Sequence, residues 1–212
     1  MAIDIDGFIE VRPWATWPDL PSEIPWEAAA RLERLDCLNV TPDYDAFGCL
    51  FGVMNFAGFR PVAADRGLPA DAGDTVRRAH RRHPGSARWT TWVGWSEIRA
   101  VDWDEPAEHA DARLHEYHRG DDGEWRFAGK GSWSRAAFEA RGVDVPPPGT
   151  PPEVWPVGSV WTDGDVQFRA ERLTRRDAVP EDGAWQPVWE VMAVLARLHG
   201  EENCRLVVWF DG

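Results

Sequence analysis

Lysine is almost missing from this 212-residue sequence, in which Lys130 stands alone beside 22 arginines. Alanine, glycine and proline are abundant as well, a bias that is typical of a GC-rich genome and weakens the arginine excess as an indicator of function. The net charge is −13. A surface that binds duplex DNA or RNA would have to overcome this repulsion, and nucleic-acid binders usually present a basic face. We therefore expect no general nucleic-acid binding.

Cysteine and long apolar runs are scarce too. The three cysteines, Cys37, Cys49 and Cys204, are odd in number and lack CxxC spacing, so the sequence predicts neither a disulfide framework nor a zinc knuckle. No stretch approaches the ~20 apolar residues of a membrane span. The first residues, MAIDIDGFIEVRP, lack the positive charge and the apolar segment of a signal peptide. We expect a cytoplasmic protein without membrane association.

Motifs for catalysis, metals and cofactors are also missing. The sequence contains no GxSxG, HExxH or GxGxxG, and Lys130 lies in AGKGSW, which lacks the glycine spacing of a phosphate-binding loop. His109, His115 and His118 match no metal-binding spacing, and a strand over 113–119 would point the last two to opposite faces. The sequence therefore predicts no catalytic residue, no metal site and no cofactor.

What is present indicates a globular α+β protein. Hydrophobic residues make up 43% and charged residues 28%, and the length suits a single domain over 1–212 with a proline-rich surface segment at 146–156. Turns at Asp122-Gly123 and Asp163-Gly164 predict two hairpins. The stretch WQPVWEVMAVLARLHG predicts a helix ended by Gly200, and CRLVVWFDG predicts a central strand after it. We expect a mixed, mainly antiparallel sheet with hairpins and a few short helices.

Other segments carry more local predictions. PWEAAARLERL is rich in good helix formers and predicts a helix. FGCLFGV contains Gly48 and Gly52, which favours close backbone approach over a regular helix. GLPADAGDTVRRAH predicts a turn and a short helix capped by Asp71 or Asp74, and WSEIRAVDW predicts one capped by Ser96. SWSRAAFEARG predicts another short helix.

The densest positive charge lies in a segment that we call the arginine island. It comprises Arg77, Arg78, Arg81, Arg82 and Arg88, with His80 and His83. On a helix, Arg77 and Arg81 share one face, as do Arg78 and Arg82. The planar guanidinium fork suits phosphate or carboxylate. The alternative is a solvated helix face that pairs with the protein's own surplus acids.

Tryptophan is the other unusual feature, with 14 residues, several of them close to the arginine island. In WTTWVGW a strand would place Trp92 opposite Trp89 and Trp95, so no flat aromatic platform results. A loop whose rings pack into the core is favoured over stacking on a ligand, because tryptophan is usually largely buried.

Several segments resemble a group of phage, prophage and actinobacterial proteins. The matching stretches are DYDAFGCLFGV, RGLPAD, HPGSARWTTWVGWSEIRAVDW and the closing CRLVVWFD. The matching positions are Tyr44, Phe47, Arg66, Gly67, Leu68, Pro69, Asp71, His83, Ser86, Trp89, Thr91, Glu97, Ile98, Phe210 and Asp211. The resemblance implies a mobile-element setting and no particular chemistry.

Three functions fit these observations. The first is a non-enzymatic, phage-derived protein that captures a small anionic, nucleotide-like ligand: Arg66 with Arg77 or Arg81 would hold the phosphate, and Tyr44 or Trp89 would stack on the ring beside His83. The second is an acidic inhibitor or immunity protein that covers the basic active site of a host or toxin protein. The third is a nucleotide or phosphoester hydrolase, with His83 as general base and the arginines as a clamp.

Overall fold

A computed structural model describes residues 3–13, 24–32, 38, 43–82, 89–131, 135–147, 150 and 153–211. In these ranges the strands are β1 (Asp4–Val11), β2 (Glu27–Leu32), β3 (Thr91–Gly94), β4 (His115–Arg119), β5 (Trp125–Lys130), β6 (Val160–Asp163), β7 (Val166–Arg169) and β8 (Cys204–Asp211). The α-helices are α1 (Tyr44–Phe51), α2 (Asp74–His80), α3 (Trp95–Arg99), α4 (Arg135–Arg141), α5 (Arg175–Ala178) and α6 (Gln186–His199). The predicted α+β class is confirmed.

The first sheet has the strand order β2-β1-β8-β3, with antiparallel neighbours throughout. The last strand, β8, lies in its middle, as the Val-rich CRLVVWF stretch predicts. Residues 204–210 are buried on both faces of the sheet, which explains why this strand is almost continuously apolar. Helix α6 precedes β8, and Gly200 follows the helix with φ of 99°.

Both faces of the first sheet are covered. On one face, alternate residues such as Ile9, Leu206 and Phe210 join the main core with α1 and α6. On the other face, Val207 and Trp209 pack with Val76 of α2 in a smaller core. The period of two along β8 thus separates two cores. The arginine island begins on the helix that covers the second face.

The second sheet has the order β5-β4-β7-β6 and is also antiparallel. It consists of the two predicted hairpins, and α4 packs on it through Ala137 against Leu114 and Phe168. The described strands therefore form two sheets rather than the single one expected. The described residues of the proline-rich segment 146–156 belong to no helix or strand.

The helix predicted over PWEAAARLERL is wrong. Residues 27–32 form β2, an edge strand that pairs with β1 through a register that runs from Val11↔Glu27 to Gly7↔Leu32. Alanine and glutamate favour a helix locally, but β1 needs a partner on this side, and Leu32 becomes completely buried. Tertiary pairing outweighs local propensity here.

The segment with Gly48 and Gly52 does form a regular helix, contrary to expectation. The carboxylate of Asp43 accepts hydrogen bonds from the backbone N–H groups of Asp45 and Ala46 and caps α1. Gly52 then ends the helix in the left-handed region with φ of 75°. The expected close approach is real, since a Cβ at Gly48 would lie 2.9 Å from the Cα of Asn55.

Three further local predictions need correction. WTTWVGW contains β3 rather than a loop, because Thr91 and Val93 pair with β8. Gly73, not Asp71 or Asp74, precedes α2 as its N-cap. At α3 the cap position is Gly94 rather than Ser96, and the Gly94 N–H donates to the carboxylate of Glu97 at 2.9 Å. Both cap residues are glycines, so neither helix begins with a hydrogen bond to a cap side chain.

Candidate functional site

A pair of opposite charges is buried under the second face of the first sheet. Glu10 of β1 and Arg205 of β8 stand directly across from each other in the register, and they are 0% and 4% exposed. Arg205 Nε donates to Glu10 Oε2 at 2.8 Å, and the Gly73 N–H donates to Glu10 Oε1 at 2.7 Å. Buried charges are stable when they are paired and hydrogen-bonded in this way.

Asp71 and Trp26 extend this pair toward the surface. Arg205 Nη1 donates to Asp71 Oδ1 and Trp26 Nε1 donates to Asp71 Oδ2, both at 2.8 Å. The Trp26 ring also contacts two guanidinium groups, at 3.9 Å from Arg205 and 4.8 Å from Arg12. Partial burial alone would raise the pKa of Asp71, but the hydrogen bonds from Arg205 and Trp26 and the charge of Arg205 outweigh it and lower that pKa.

Above these residues lies a cavity of about 810 Å³, which we call the Trp26 cleft. Its walls are the segment 24–28, which leads into β2, and the segment 71–75, which leads into α2; Arg12 and Arg77 complete the lining. The volume lies within the range of small-molecule sites, ~300–1,000 Å³. Gly73 makes the close approach of the two walls possible, since a Cβ there would lie 2.4 Å from the carbonyl oxygen of Trp26.

The arginine island meets the cleft through Arg77. Its Nε donates to the Ala72 carbonyl at 2.6 Å and its Nη2 to the Ala70 carbonyl at 2.7 Å, which holds the guanidinium against the cleft wall. In the described ranges no carboxylate forms an ion pair with Arg77, Arg78, Arg81 or Arg82. The alternative in which this helix face pairs with the protein's own acids is therefore absent from the described part of the chain.

The other predicted ligand residues lie elsewhere. Arg81 is exposed at the end of α2, one helical turn beyond Arg77. The Tyr44 hydroxyl accepts a hydrogen bond from the Ile3 N–H, and its ring packs on Phe47. Trp89 packs against the main core. None of these three residues lines the Trp26 cleft.

Arg66 has a structural role in this arrangement. Its two Nη atoms donate to the two carboxylate oxygens of Glu97 at 2.9 and 2.7 Å, and they also reach the carbonyl oxygens of Trp92 and Val62. These hydrogen bonds lower the pKa of Glu97. Arg66 thus ties the loop before α2 to the start of α3. His83, together with Arg88, lies outside the described residues.

Sequence reasoning missed most of the cleft. Glu10 follows the apolar pair Phe8-Ile9 in β1, and Arg205 precedes the apolar run LVVWF in β8. That contrast is the available signal, since a charged residue in such a setting needs a buried partner. For Asp71 the sequence predicts only a cap of α2, as an alternative to Asp74. Nothing in the sequence connects Trp26 with positions near 71 or 205.

A second polar cluster joins α1 to the second sheet. The Nζ of Lys130 donates to both carboxylate oxygens of Asp45, at 2.8 and 2.7 Å, and to Asp111 Oδ2 at 2.7 Å. Arg113 bonds both carboxylates as well. All three donors of the ammonium group are used, so this lysine is held as an ion-pair partner and is not a free nucleophile.

The histidines stay apart from one another. His109 bonds the Ala110 carbonyl, His115 bonds Glu171 and His118 bonds Glu116. No group of three or more His, Cys, Asp or Glu side chains in the described part of the chain is arranged to hold a metal ion. Among the same residues, no helix has the length and apolar character that a membrane crossing requires.

No protein-family model, curated protein or solved structure matches the chain.

Proposed function

We propose that this chain is a non-enzymatic binding protein of phage or prophage origin, and that it captures a small anionic, nucleotide-like ligand at the Trp26 cleft. The observation that carries the proposal is the position of Arg77, which lines a cavity of about 810 Å³ and has no carboxylate partner among the described residues. Arg81 shares the helical face of Arg77. The two guanidinium groups would hold a phosphate at the rim, with the rest of the ligand inside the cleft.

The charge distribution supports this assignment. Arginines elsewhere on the surface, such as Arg60, Arg99 and Arg176, pair with acids. The four arginines on and after α2 pair with no acid in the part of the chain that the structure describes. In a chain of net charge −13, a cluster of unpaired cations is where an anion meets the least repulsion. Arg12, on the opposite wall of the cleft, adds a third guanidinium, which already pairs with Asp71 at 3.4 Å.

The hydrolase alternative has less support. It needs Arg66 as an electrophilic clamp, but both Nη atoms of that guanidinium already bond Glu97 and the two carbonyl oxygens. The inhibitor alternative rests on the overall acidity, the many aromatic residues and the missing catalytic motifs of the sequence.

Calorimetric titration with inorganic phosphate and with mono-, di- and cyclic nucleotides tests the proposal. We expect saturable binding that weakens with salt. Replacing both Arg77 and Arg81 by glutamine removes charge-assisted hydrogen bonds worth about 1.5–3 kcal/mol each, so affinity should fall at least about tenfold.

The matched control is the double replacement of Arg78 and Arg82 by glutamine. It removes the same charge from the same segment, but from the helical face that does not include Arg77. Affinity should fall by less than about threefold, the loss expected from the long-range field alone. Equal losses in both double variants, or no heat with any of these anions, would refute the proposal.

A further inference from the structure

A groove between α3 and α6 has no role in the function proposed above. One cavity of about 380 Å³ is lined by Trp95, Trp103 and Trp189 together with Ile98, Val179 and Ala193. A second cavity of about 470 Å³ shares Trp95, Arg99 and Ala193 with the first and extends to Arg197. The two cavities share three lining residues and therefore adjoin, and we call them together the tryptophan groove.

The helices explain why three indoles meet here. On α6, Trp189 and Ala193 are four residues apart and share a face, and on α3 the same holds for Trp95 and Arg99. All three indoles are half-buried and pack against the main core on one side. Ala193 is the small residue that leaves the groove open between them. The Trp189 Nε1–H is buried and has no hydrogen-bond acceptor among the residues that the structure describes.

The two ends of the groove differ in charge. At the first cavity, Arg176 is already shared between the carboxylates of Asp104 and Glu181. At the second cavity and among the described residues, Arg99 pairs with the single carboxylate of Glu201, and Arg197 has no ion pair. The second end therefore carries the surplus of positive charge.

The Arg99–Glu201 pair is easily exchanged. The side chains of Arg99 and Glu201 are 58% and 46% exposed, and ion pairs this exposed contribute ~0–1 kcal/mol. A ligand carboxylate or sulfonate can replace Glu201 at little cost and gain Arg197 as a second partner. The guanidinium fork accommodates both oxygens of such a group.

We propose that the tryptophan groove binds a small planar aromatic anion. Its ring system lies between the indoles of Trp103 and Trp189, and its carboxylate or sulfonate points toward Arg99 and Arg197. Indoles favour offset-stacked or edge-on contact with another ring, and the cavity volume suits a molecule of two or three rings. This site is separate from the Trp26 cleft and does not depend on it.

Two fluorescent probes of similar shape test the proposal on the whole chain. The first, 1-anilinonaphthalene-8-sulfonate, carries the anion, and the second, N-phenyl-1-naphthylamine, does not. We expect the sulfonate to bind saturably at one site and to quench tryptophan fluorescence. Ala193→Phe fills the groove, so its affinity for the sulfonate should fall at least about tenfold. Val194→Phe, at the next and exposed position of α6, adds the same ring outside the groove and should bind as the parent does.

The charge requirement has its own test. Combined replacement of Arg99 and Arg197 by glutamine should weaken the sulfonate about tenfold and leave the uncharged amine within about twofold. Near-ultraviolet circular dichroism checks that each variant is folded, and Ala193→Met is the milder filling variant if Ala193→Phe is not. Sulfonate binding that survives filling of the groove, or that does not saturate in the parent, would overturn the proposal. Phosphate and nucleotide titrations of the filled variant should be unchanged, which separates this result from the test of the Trp26 cleft.

Discussion

At the scale of single residues, the candidate site depends on Glu10 and Arg205, which lie 195 positions apart. Burying either charge alone would destabilise the fold. The opposite charge on the adjacent central strand compensates for this cost. The Gly73 N–H and Asp71 complete the hydrogen bonding of the pair. This pair therefore fixes where the two walls of the Trp26 cleft meet the sheet.

Removing one charge of the pair should be worse than removing both. We expect Arg205→Met to lower the free energy of unfolding by about 3–5 kcal/mol, because Glu10 is left buried without a counter-charge. Adding Glu10→Gln should recover at least about 1 kcal/mol, since glutamine is neutral and still offers an oxygen to the Gly73 N–H. Urea denaturation measures both values. A double variant no more stable than Arg205→Met would contradict this account.

At the scale of elements, the sequence predicts those parts whose signals are local. The hairpins follow from Asp-Gly turns, α6 from its apolar stripe and Gly200, and β8 from its run of β-branched and aromatic residues. β2 could not be predicted, because its residues favour a helix locally and form a strand through hydrogen-bonded pairing with β1. The cleft escaped prediction for a similar reason, since its two walls belong to segments about 45 positions apart, as the Trp26–Asp71 bond shows.

The N-terminus of α2 gives a test at this scale. Gly73 and Gly94 both precede a helix in extended conformation, with φ of −65° and −77°. A Cβ at Gly73 would meet the Trp26 carbonyl oxygen at 2.4 Å, whereas a Cβ at Gly94 would find ordinary contacts from 3.4 Å. Gly73→Ala should therefore lower the free energy of unfolding by about 1–3 kcal/mol.

Gly94→Ala serves as the matched control. It should change the free energy of unfolding by less than about 1 kcal/mol in either direction, because alanine adopts this backbone conformation without a clash. Thermal denaturation of both variants decides the matter, and equal destabilisation would show that α2 does not need the close approach at Gly73.

At the scale of the whole molecule, one cluster of ion pairs joins α1 to the second sheet. The only lysine and Arg113 hold the carboxylates of Asp45 and Asp111 and so fasten α1 to the second sheet. Asp111 is the centre of this cluster, with a side chain that is completely buried. Burial alone would raise the pKa of Asp111, but the nearby His115 imidazole, the hydrogen bonds from Arg113 and the charges of Arg113 and Lys130 outweigh it and lower the pKa far below its ordinary value.

This cluster should make stability depend on acid pH in a defined direction. The pKa of Asp111 is lower in the folded protein than in the unfolded chain, where it is about 3.9. The contribution of Asp111 to the free energy of unfolding is therefore complete above pH of about 3.9 and is lost as the pH falls below that value. We expect Asp111→Asn to lower the free energy of unfolding by about 3 kcal/mol at neutral pH, since Asp45 then remains the only carboxylate partner of Lys130 and Arg113 in this cluster. The difference in the free energy of unfolding between parent and variant should then decrease as the pH falls from about 4 toward 2. Urea denaturation across this range measures it, and a difference that stays constant would mean that Asp111 does not act through its charge.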